Sequence, residues 1–260
     1  RHFLSKVCSD FYKLKPKNII AVTGTNGKTS VADLFYQILV LNNVPVASIG
    51  TLGIKYKKKI IKSYLTSPDT IFLHETLQKI KKNKIDNVII EASSHGLHQN
   101  RIDHLDIKAG IFTSFSKDHL DYHKTMQSYF KAKMILFNNL LSKMKTVISD
   151  SSIKEFSNLE KISKKRNLHL IDIIHLKNKL RKDKKVNFLN ESQLKNLSMA
   201  ITAAKLCNIS EKKIFNILDK LKDVNGRLEH VRTFPNTIKV FVDFAHTPDA
   251  LNKTLSALKD

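Results

Sequence analysis

Eight consecutive residues, Thr23-Gly24-Thr25-Asn26-Gly27-Lys28-Thr29-Ser30, have the types and spacing to bind phosphate. The glycines let the backbone curl so that its N–H groups converge on phosphate oxygens. Lys28 can then reach the outer phosphates, and the Thr29 hydroxyl can hold Mg²⁺. The generic loop has a glycine five residues before Gly27; here that position is Val22 and the extra glycine is Gly24, so the loop is a variant. The apolar run Ile19-Ile20-Ala21-Val22 precedes it and a helical pattern begins near Val31. A helix N-terminus would thus add its partial positive charge. A plain Gly/Asn-rich turn is the alternative, and the strand–loop–helix setting favours nucleotide binding.

Further chemistry follows other apolar runs. Glu91-Ala92-Ser93-Ser94-His95-Gly96-Leu97-His98-Gln99-Asn100-Arg101 comes after one of them. A carboxylate at a strand end beside a phosphate loop is placed to bind Mg²⁺ directly or through water. Taken alone, Glu91 also reads as an ordinary strand-end acid; the dense polar run after it weighs against that. Ser116-Lys117-Asp118-His119-Leu120-Asp121-Tyr122-His123 has two His and two Asp in six residues. That suggests a metal or acid–base site, with a solvated loop as the alternative. A hydrolytic zinc pair of His119 and His123 lacks the HExxH glutamate.

On a helix predicted over 125–141, Met126, Phe130, Phe137, Leu140 and Leu141 form an apolar stripe, and Lys133 falls inside it. Lys124, Lys131 and Lys143 fall off the stripe or beyond the helix. A lysine facing inward needs a partner or a task, unless its stem snorkels past the apolar face. Gln193, Asn196, Ala200, Ala203 and Ala204 share another helix face. Amides among small residues suit a purine edge, and helix packing accounts for the alanines equally well.

The elements that must position these residues are apolar runs at 18–23, 46–50, 87–92, 108–115, 145–149, 169–173 and 238–244, alternating with helical patterns. This predicts an α/β fold with a mostly parallel sheet flanked by helices, its ligands beyond the C-terminal strand ends. Two helical segments, about 191–206 and 210–221, precede a composition break near Asp223 to Gly226; a new strand–helix pattern follows it. The 260 residues are 42% apolar, ample for a packed core. Cys8 and Cys207 lie far apart, which argues against a disulfide framework or a thiolate zinc site and for a reducing compartment. With no apolar stretch of membrane-span length and no signal-peptide pattern, the expectation is a soluble cytoplasmic protein without membrane insertion. The net charge of +22, from 45 Lys and Arg against 23 Asp and Glu, raises a basic nucleic-acid-binding module as a non-enzymatic alternative. The lysines are scattered and no recognition signature accompanies them, so no specific nucleic acid is expected.

In order, Thr23 to Ser30, Glu91 to Arg101, Asp118 to His123 with Lys133, Asn196, Gly226-Arg227-Leu228-Glu229 and the run from Val242 to Leu251 resemble the Mur ligases of peptidoglycan synthesis. The resemblance covers nearly the whole chain. The Ser-Ser-His-Gly-Leu and Ala-His-Thr-Pro-Asp-Ala-Leu runs look like the ligases that add the third peptide residue, a diamino acid, to UDP-N-acetylmuramoyl-L-alanyl-D-glutamate. The resemblance implies an ATP-dependent acid–amino-acid ligase working through an acyl phosphate, in cell wall biogenesis, and a monomer. It assigns the nucleotide to Gly24, Thr25, Asn26, Gly27, Lys28, Thr29, Ser30, Asn196 (adenine), Arg227 (phosphate) and Asp243 (ribose). Two Mg²⁺ ions are implied, the first at Thr29 and Glu91, the second at His119 and Lys133. Lys133 matches a lysine that CO₂ converts to a carbamate, making it, with Lys28 and His119, part of the catalytic set. Thr66, Ser67, Ser93, Gln99 and Arg101 match the strip that grips the muramyl-dipeptide, with Ser67 where threonine is common.

The same resemblance implies a central ATP-binding domain at 14–223, preceded at 1–13 by a linker from a UDP-binding domain and followed at 224–260 by the start of an amino-acid-binding domain. By itself such a piece is expected to be inactive in ligation. Folylpolyglutamate synthetases share the architecture and the amide-forming chemistry and are the rival enzyme class, without an expected Ser-Ser-His-Gly-Leu run followed by Gln99 and Arg101. Whether the diamino acid is meso-diaminopimelate or L-lysine stays open.

Overall fold

The computed structural model describes residues 1–57, 59–235 and 237–258. The apolar run ahead of the loop is strand β1 (Asn18–Thr23). The others in its sheet are β2 (Val46–Gly50), β3 (Gly53–Tyr56), β4 (Lys59–Ile61), β5 (Asn87–Glu91), β6 (Ile107–Phe112), β7 (Thr146–Ser149) and β8 (His169–Asp172). Their order is β4-β3-β2-β5-β1-β6-β7-β8. The six strands from β2 to β8 run parallel, and β3 and β4 add an antiparallel edge. This is the mostly parallel sheet expected from the alternation. The edge hairpin was not among the expected strands: it is short, lysine-bearing and exposed at β4, as edge strands commonly are.

Along β1, Ile20 and Val22 point into one apolar layer and Ile19 and Ala21 into the other, so the sheet is buried on both faces. Helices Lys28–Leu41 and Glu191–Lys205 cover the first face; Thr70–Lys82 and Phe156–Arg166 help cover the second. From β1 the chain goes to β2 on one side and later reaches β6 on the other. The strand order therefore reverses at β1, which opens a crevice at the C-terminal strand ends.

Helix 125–141 is in fact α-helical over Met126–Ile135 and π-helical over Leu136–Leu140. The wider π turn shifts the phase. Tyr129, Ala132, Lys133, Leu136 and Phe137 are buried, whereas Met126 and Phe130 of the expected stripe are half-buried. The second C-terminal helical pattern breaks into Glu211–Phe215 and a 3₁₀ turn, Leu218–Lys220. Beyond it, β9 (Glu229–Thr233) and β10 (Lys239–Val242) form a separate antiparallel ribbon followed by helix Pro248–Ala257. No helix among the described residues is long and apolar enough to cross a membrane.

Candidate active site

The phosphate loop leaves β1 with Gly24 at φ +145° and Gly27 at φ +92°, conformations that L side chains rarely adopt. Space forbids side chains as well. A Cβ on Gly24 would lie 1.9 Å from Thr113 Oγ1, and one on Gly27 2.6 Å from Asn196 Oδ1. The segment after β6, expected to be strand, turns away at Thr113 and braces the loop. Thr25 N–H donates to Ser114 O (2.8 Å) and Asn26 N–H to Ser114 Oγ (3.0 Å). Lys28 opens the next helix, and its Nζ folds back onto the carbonyls of Gly24 (3.0 Å) and Thr25 (2.9 Å). Burial lowers its pKa, opposed by the charges of Glu91 and Asp118.

β5 delivers Glu91 beside the loop, level with Val22 and 1% exposed. Its Oε2 accepts from the Thr29 hydroxyl (2.9 Å) and from the Thr51 hydroxyl (3.1 Å); its Oε1 accepts from the Thr51 N–H (2.8 Å). Thr51, on the β2–β3 turn, was not singled out from sequence, because one threonine after a glycine gives no signal. Arg227 Nη2 donates to Thr29 Oγ1 at 3.3 Å. A carboxylate next to a threonine hydroxyl is an oxygen donor set suited to Mg²⁺, which takes one or two carboxylates and completes its shell with water and phosphate oxygens. Among the described residues, no three His, Cys, Asp or Glu side chains gather as a cation cage.

Lys133 is 1% exposed and faces the underside of the loop. Its Nζ donates to Gly24 O at 2.7 Å, the carbonyl that Lys28 also reaches, and lies 4.4 Å from the Tyr129 ring centroid. Burial first, and then the Lys28 charge, push its pKa well below the ordinary lysine range. Tyr129, one helical turn earlier, places its hydroxyl 3.2 Å from Thr25 Oγ1. It too escaped notice in the sequence, since a tyrosine on a half-apolar helix reads as core.

His119 has φ +52° and begins the short helix Leu120–His123. Its N–H donates to Asp118 Oδ1 (2.8 Å), its ring Nε2 lies 3.4 Å from Asp118 Oδ2, and burial lowers its pKa, which favours the neutral imidazole that ligates cations. His123 instead packs against Tyr129 with Nε2 buried and unpartnered; burial and the neighbouring histidines bring its pKa to about 4.

The residues matched to the dipeptide strip form one hydrogen-bonded row. Ser67 Oγ donates to Glu91 O (2.7 Å) and accepts from Ser93 N–H (2.9 Å). Ser93 caps helix Ser94–His98, Arg101 donates to Ser67 O (2.8 Å) and to Gln99 Oε1, and Gln99 donates to the Tyr122 hydroxyl (3.1 Å). Thr66 joins through Thr51, Oγ1 to Oγ1, at 3.2 Å.

A cavity of about 360 Å³ opens above the loop. Residues 25–30, Thr66, His119, Asn196, Arg227 and Asp243 line it. Asp243 accepts from the N–H groups of Leu228 (2.6 Å) and Ala245 (2.8 Å), and the Arg227 guanidinium stacks 4.8 Å from the Phe244 ring. The alanines of the Asn196 helix are buried in the core it forms with helix Lys28–Leu41, and Gln193 closes a reciprocal cap with Asn190. Of that face, the amide of Asn196 stands next to Gly27.

Residues 22–218 match the family model described as the Mur ligase middle domain. The chain is 37% identical over 276 residues to the UDP-N-acetylmuramoyl-L-alanyl-D-glutamate--2,6-diaminopimelate ligase of Rickettsia bellii, covering 96% of this chain and 57% of the relative. A solved structure of a ligase of the same name superposes with TM-score 0.77 at 25% identity, over 99% of this chain and 57% of that one. The fold is also that of E. coli FolC, solved in complex with DHPP and ADP (TM-score 0.71, 19% identity, 98% of this chain and 69% of that one). The chain thus spans just over half the length of the relatives it matches by sequence.

Proposed function

The chain belongs to the Mur ligase family through its middle domain, and from that premise we propose that it is the nucleotide-binding part of an ATP-dependent ligase joining 2,6-diaminopimelate to UDP-N-acetylmuramoyl-L-alanyl-D-glutamate. The names of its relatives at 32–37% identity support the choice of diamino acid. In this reading the work is done in the cytoplasm during peptidoglycan synthesis. The observation that carries the proposal is that residues 25–30 of the loop, Lys28 and Thr29 among them, line one cavity, with buried Glu91 hydrogen-bonded to Thr29 behind it.

ATP would lie with its phosphates along residues 24–30, its ribose toward Asp243 and its adenine toward Asn196. A carboxylate oxygen of the substrate's D-glutamate attacks the γ-phosphorus, ADP leaves, and an acyl phosphate results. The diamino acid's amine then attacks the acyl carbon, phosphate leaves, and the amine proton passes to solvent. Lys28 and Arg227 offset negative charge as it gathers on the phosphates. Mg²⁺ held by Thr29 and Glu91, and a second ion held by His119 with Lys133, would neutralise the phosphate oxygens against the incoming carboxylate. Thr66 and the row from Ser67 to Arg101 hold the acceptor peptide at the far side of Glu91.

Lys133 in this proposal carries a carbamate. Its lowered pKa favours the neutral amine, whose nitrogen bonds the carbon of CO₂ and releases one proton. The carbamate nitrogen keeps one hydrogen, so the bond to Gly24 O can persist while the added oxygens face the metal side. Residues 1–13 are assigned to a linker, 14–223 to the ATP-binding domain and 224–260 to the start of a further domain.

The test is product formation by the full-length protein with ATP and UDP-N-acetylmuramoyl-L-alanyl-D-glutamate. 2,6-Diaminopimelate should give the tripeptide by liquid chromatography and release stoichiometric phosphate. A preference for L-lysine would overturn the amine assignment, and turnover of folate with glutamate would overturn the substrate class.

A further inference from the structure

Thr51 lies at the cavity's edge on the β2–β3 turn, where its hydrogen bonds reach toward both halves of the site. Its N–H holds one oxygen of Glu91 at 2.8 Å, and its hydroxyl is 3.1 Å from the other and 3.2 Å from Thr66 Oγ1. A hydroxyl has one hydrogen to give. The carboxylate is the stronger acceptor, so Thr51 donates to Glu91, and Thr66 must then donate to Thr51. The outcome is an oriented line, Thr66 to Thr51 to Glu91. Gly50 makes room for it, since a Cβ there would fall 2.1 Å from Glu91 Oε1. Thr51 is itself exposed, so core packing does not require its side chain.

We propose that Thr51 is a positioning residue that fixes both oxygens of Glu91 for the metal–nucleotide complex and couples them, through Thr66, to the acceptor-peptide strip. The inference rests on the reading of Glu91 as a Mg²⁺ ligand. With the carboxylate held in place, binding Mg²⁺ with nucleotide need not immobilise it. Any acceptor group that engages Thr66 changes the bond Thr51 receives, so acceptor and Mg²⁺–nucleotide change one another's affinity by the same factor.

The experiment is calorimetry of ADP on the full-length protein, in Mg²⁺ and in EDTA, for wild type, Thr51→Val and Thr51→Ser. Valine keeps the shape and the N–H but not the hydroxyl; serine keeps the hydroxyl. The Mg²⁺-dependent gain in ADP affinity should fall about tenfold in Thr51→Val, the effect of one hydrogen bond to a charged group. It should stay within about threefold of wild type in Thr51→Ser, with metal-free affinity equal in all three. An unchanged gain in Thr51→Val, or an equal loss with and without Mg²⁺, overturns the inference. Absence of any Mg²⁺-dependent gain in wild type indicts the reading of Glu91 instead. Should Thr51→Val fail to fold, Thr66→Val removes only the outer donor: a two- to threefold smaller gain supports the line, and an unchanged one overturns it.

Discussion

At the scale of single residues, two lysines meet one carbonyl, and their difference is instructive. Lys28 is a half-buried cation facing the cavity, whereas Lys133 lies beneath the loop where burial and Lys28 both oppose its charge. An ordinary lysine is neutral only on the order of 10⁻³ or less of the time at pH 7; Lys133 with its lowered pKa is neutral far more often. ¹³C-bicarbonate should therefore give a carbamate resonance that persists from alkaline pH down toward neutrality. The resonance should vanish on acidification through the folded pKa and be absent in Lys133→Arg. The linkage has a definite sign: between the lowered folded pKa and the ordinary lysine value the unfolded chain binds a proton that the folded chain rejects, so within that window this residue makes stability rise with pH, and Lys133→Met should lose that slope. In the full-length enzyme, Lys133→Ala should lower activity by about 10²-fold or more and regain part of it with added short carboxylic acids. A carbamate-free Lys133 in bicarbonate with Mg²⁺ and nucleotide would refute the assignment. That Lys133 is buried was legible from its place among apolar residues. Tyr129 and Thr51 were not legible, because each acts through a partner more than 35 residues away in sequence, and no local pattern records such a partner.

At the scale of elements, the parallel strands and the loop could be read because apolar runs, glycines and helix starts are local signals. The β3–β4 edge and the π turn could not, since each depends on tertiary neighbours: the first on a strand to pair with, the second on the core's demand for Phe137. A buried ion pair, also invisible in the sequence, ties elements together behind the site. Lys177, on helix Ile174–Arg181, bonds Asp150 after β7 at 2.9 Å and Glu191 at 2.7 Å. Glu191 opens the helix that carries Asn196. Burial opposes both charges, yet hydrogen bonds from Ser152 and Lys177 hold Asp150 below its usual range, and Glu191 and Asp150 hold Lys177 above its own. Lys177→Met should leave Asp150 buried and unpaired at a loss of roughly 3–5 kcal/mol in denaturant unfolding. Replacing both partners with apolar residues should recover much of that. A single variant as stable as wild type would show that Asp150 finds water or another partner.

At the scale of the molecule, the eight-stranded sheet has helices on both faces, but the C-terminal ribbon does not share that closure. Val231 (56% exposed), Phe244 (60%) and Leu255 (57%) of β9, the segment after β10 and the last helix face outward. One ribbon and one helix cannot bury such residues among themselves. They lie in the segment proposed above as the start of a further domain. The phosphate loop, Glu91 and the dipeptide row all lie within the sheet domain, so residues 1–260 alone should bind ADP with Mg²⁺. Amide formation is a different demand: the acyl phosphate and the amine must be held in attacking geometry, and such positioning can supply ~7–11 kcal/mol of a barrier. With the uridine and amine contacts assigned to domains beyond this span, the 260-residue chain should bind nucleotide, hydrolyse ATP slowly at most, and release no tripeptide detectable by liquid chromatography. The full-length protein under the same conditions should turn over only when both the UDP-linked dipeptide and the diamino acid are present. Robust tripeptide synthesis by the 260-residue chain would mean that the sheet domain holds the amine itself, and the domain assignment would have to be abandoned.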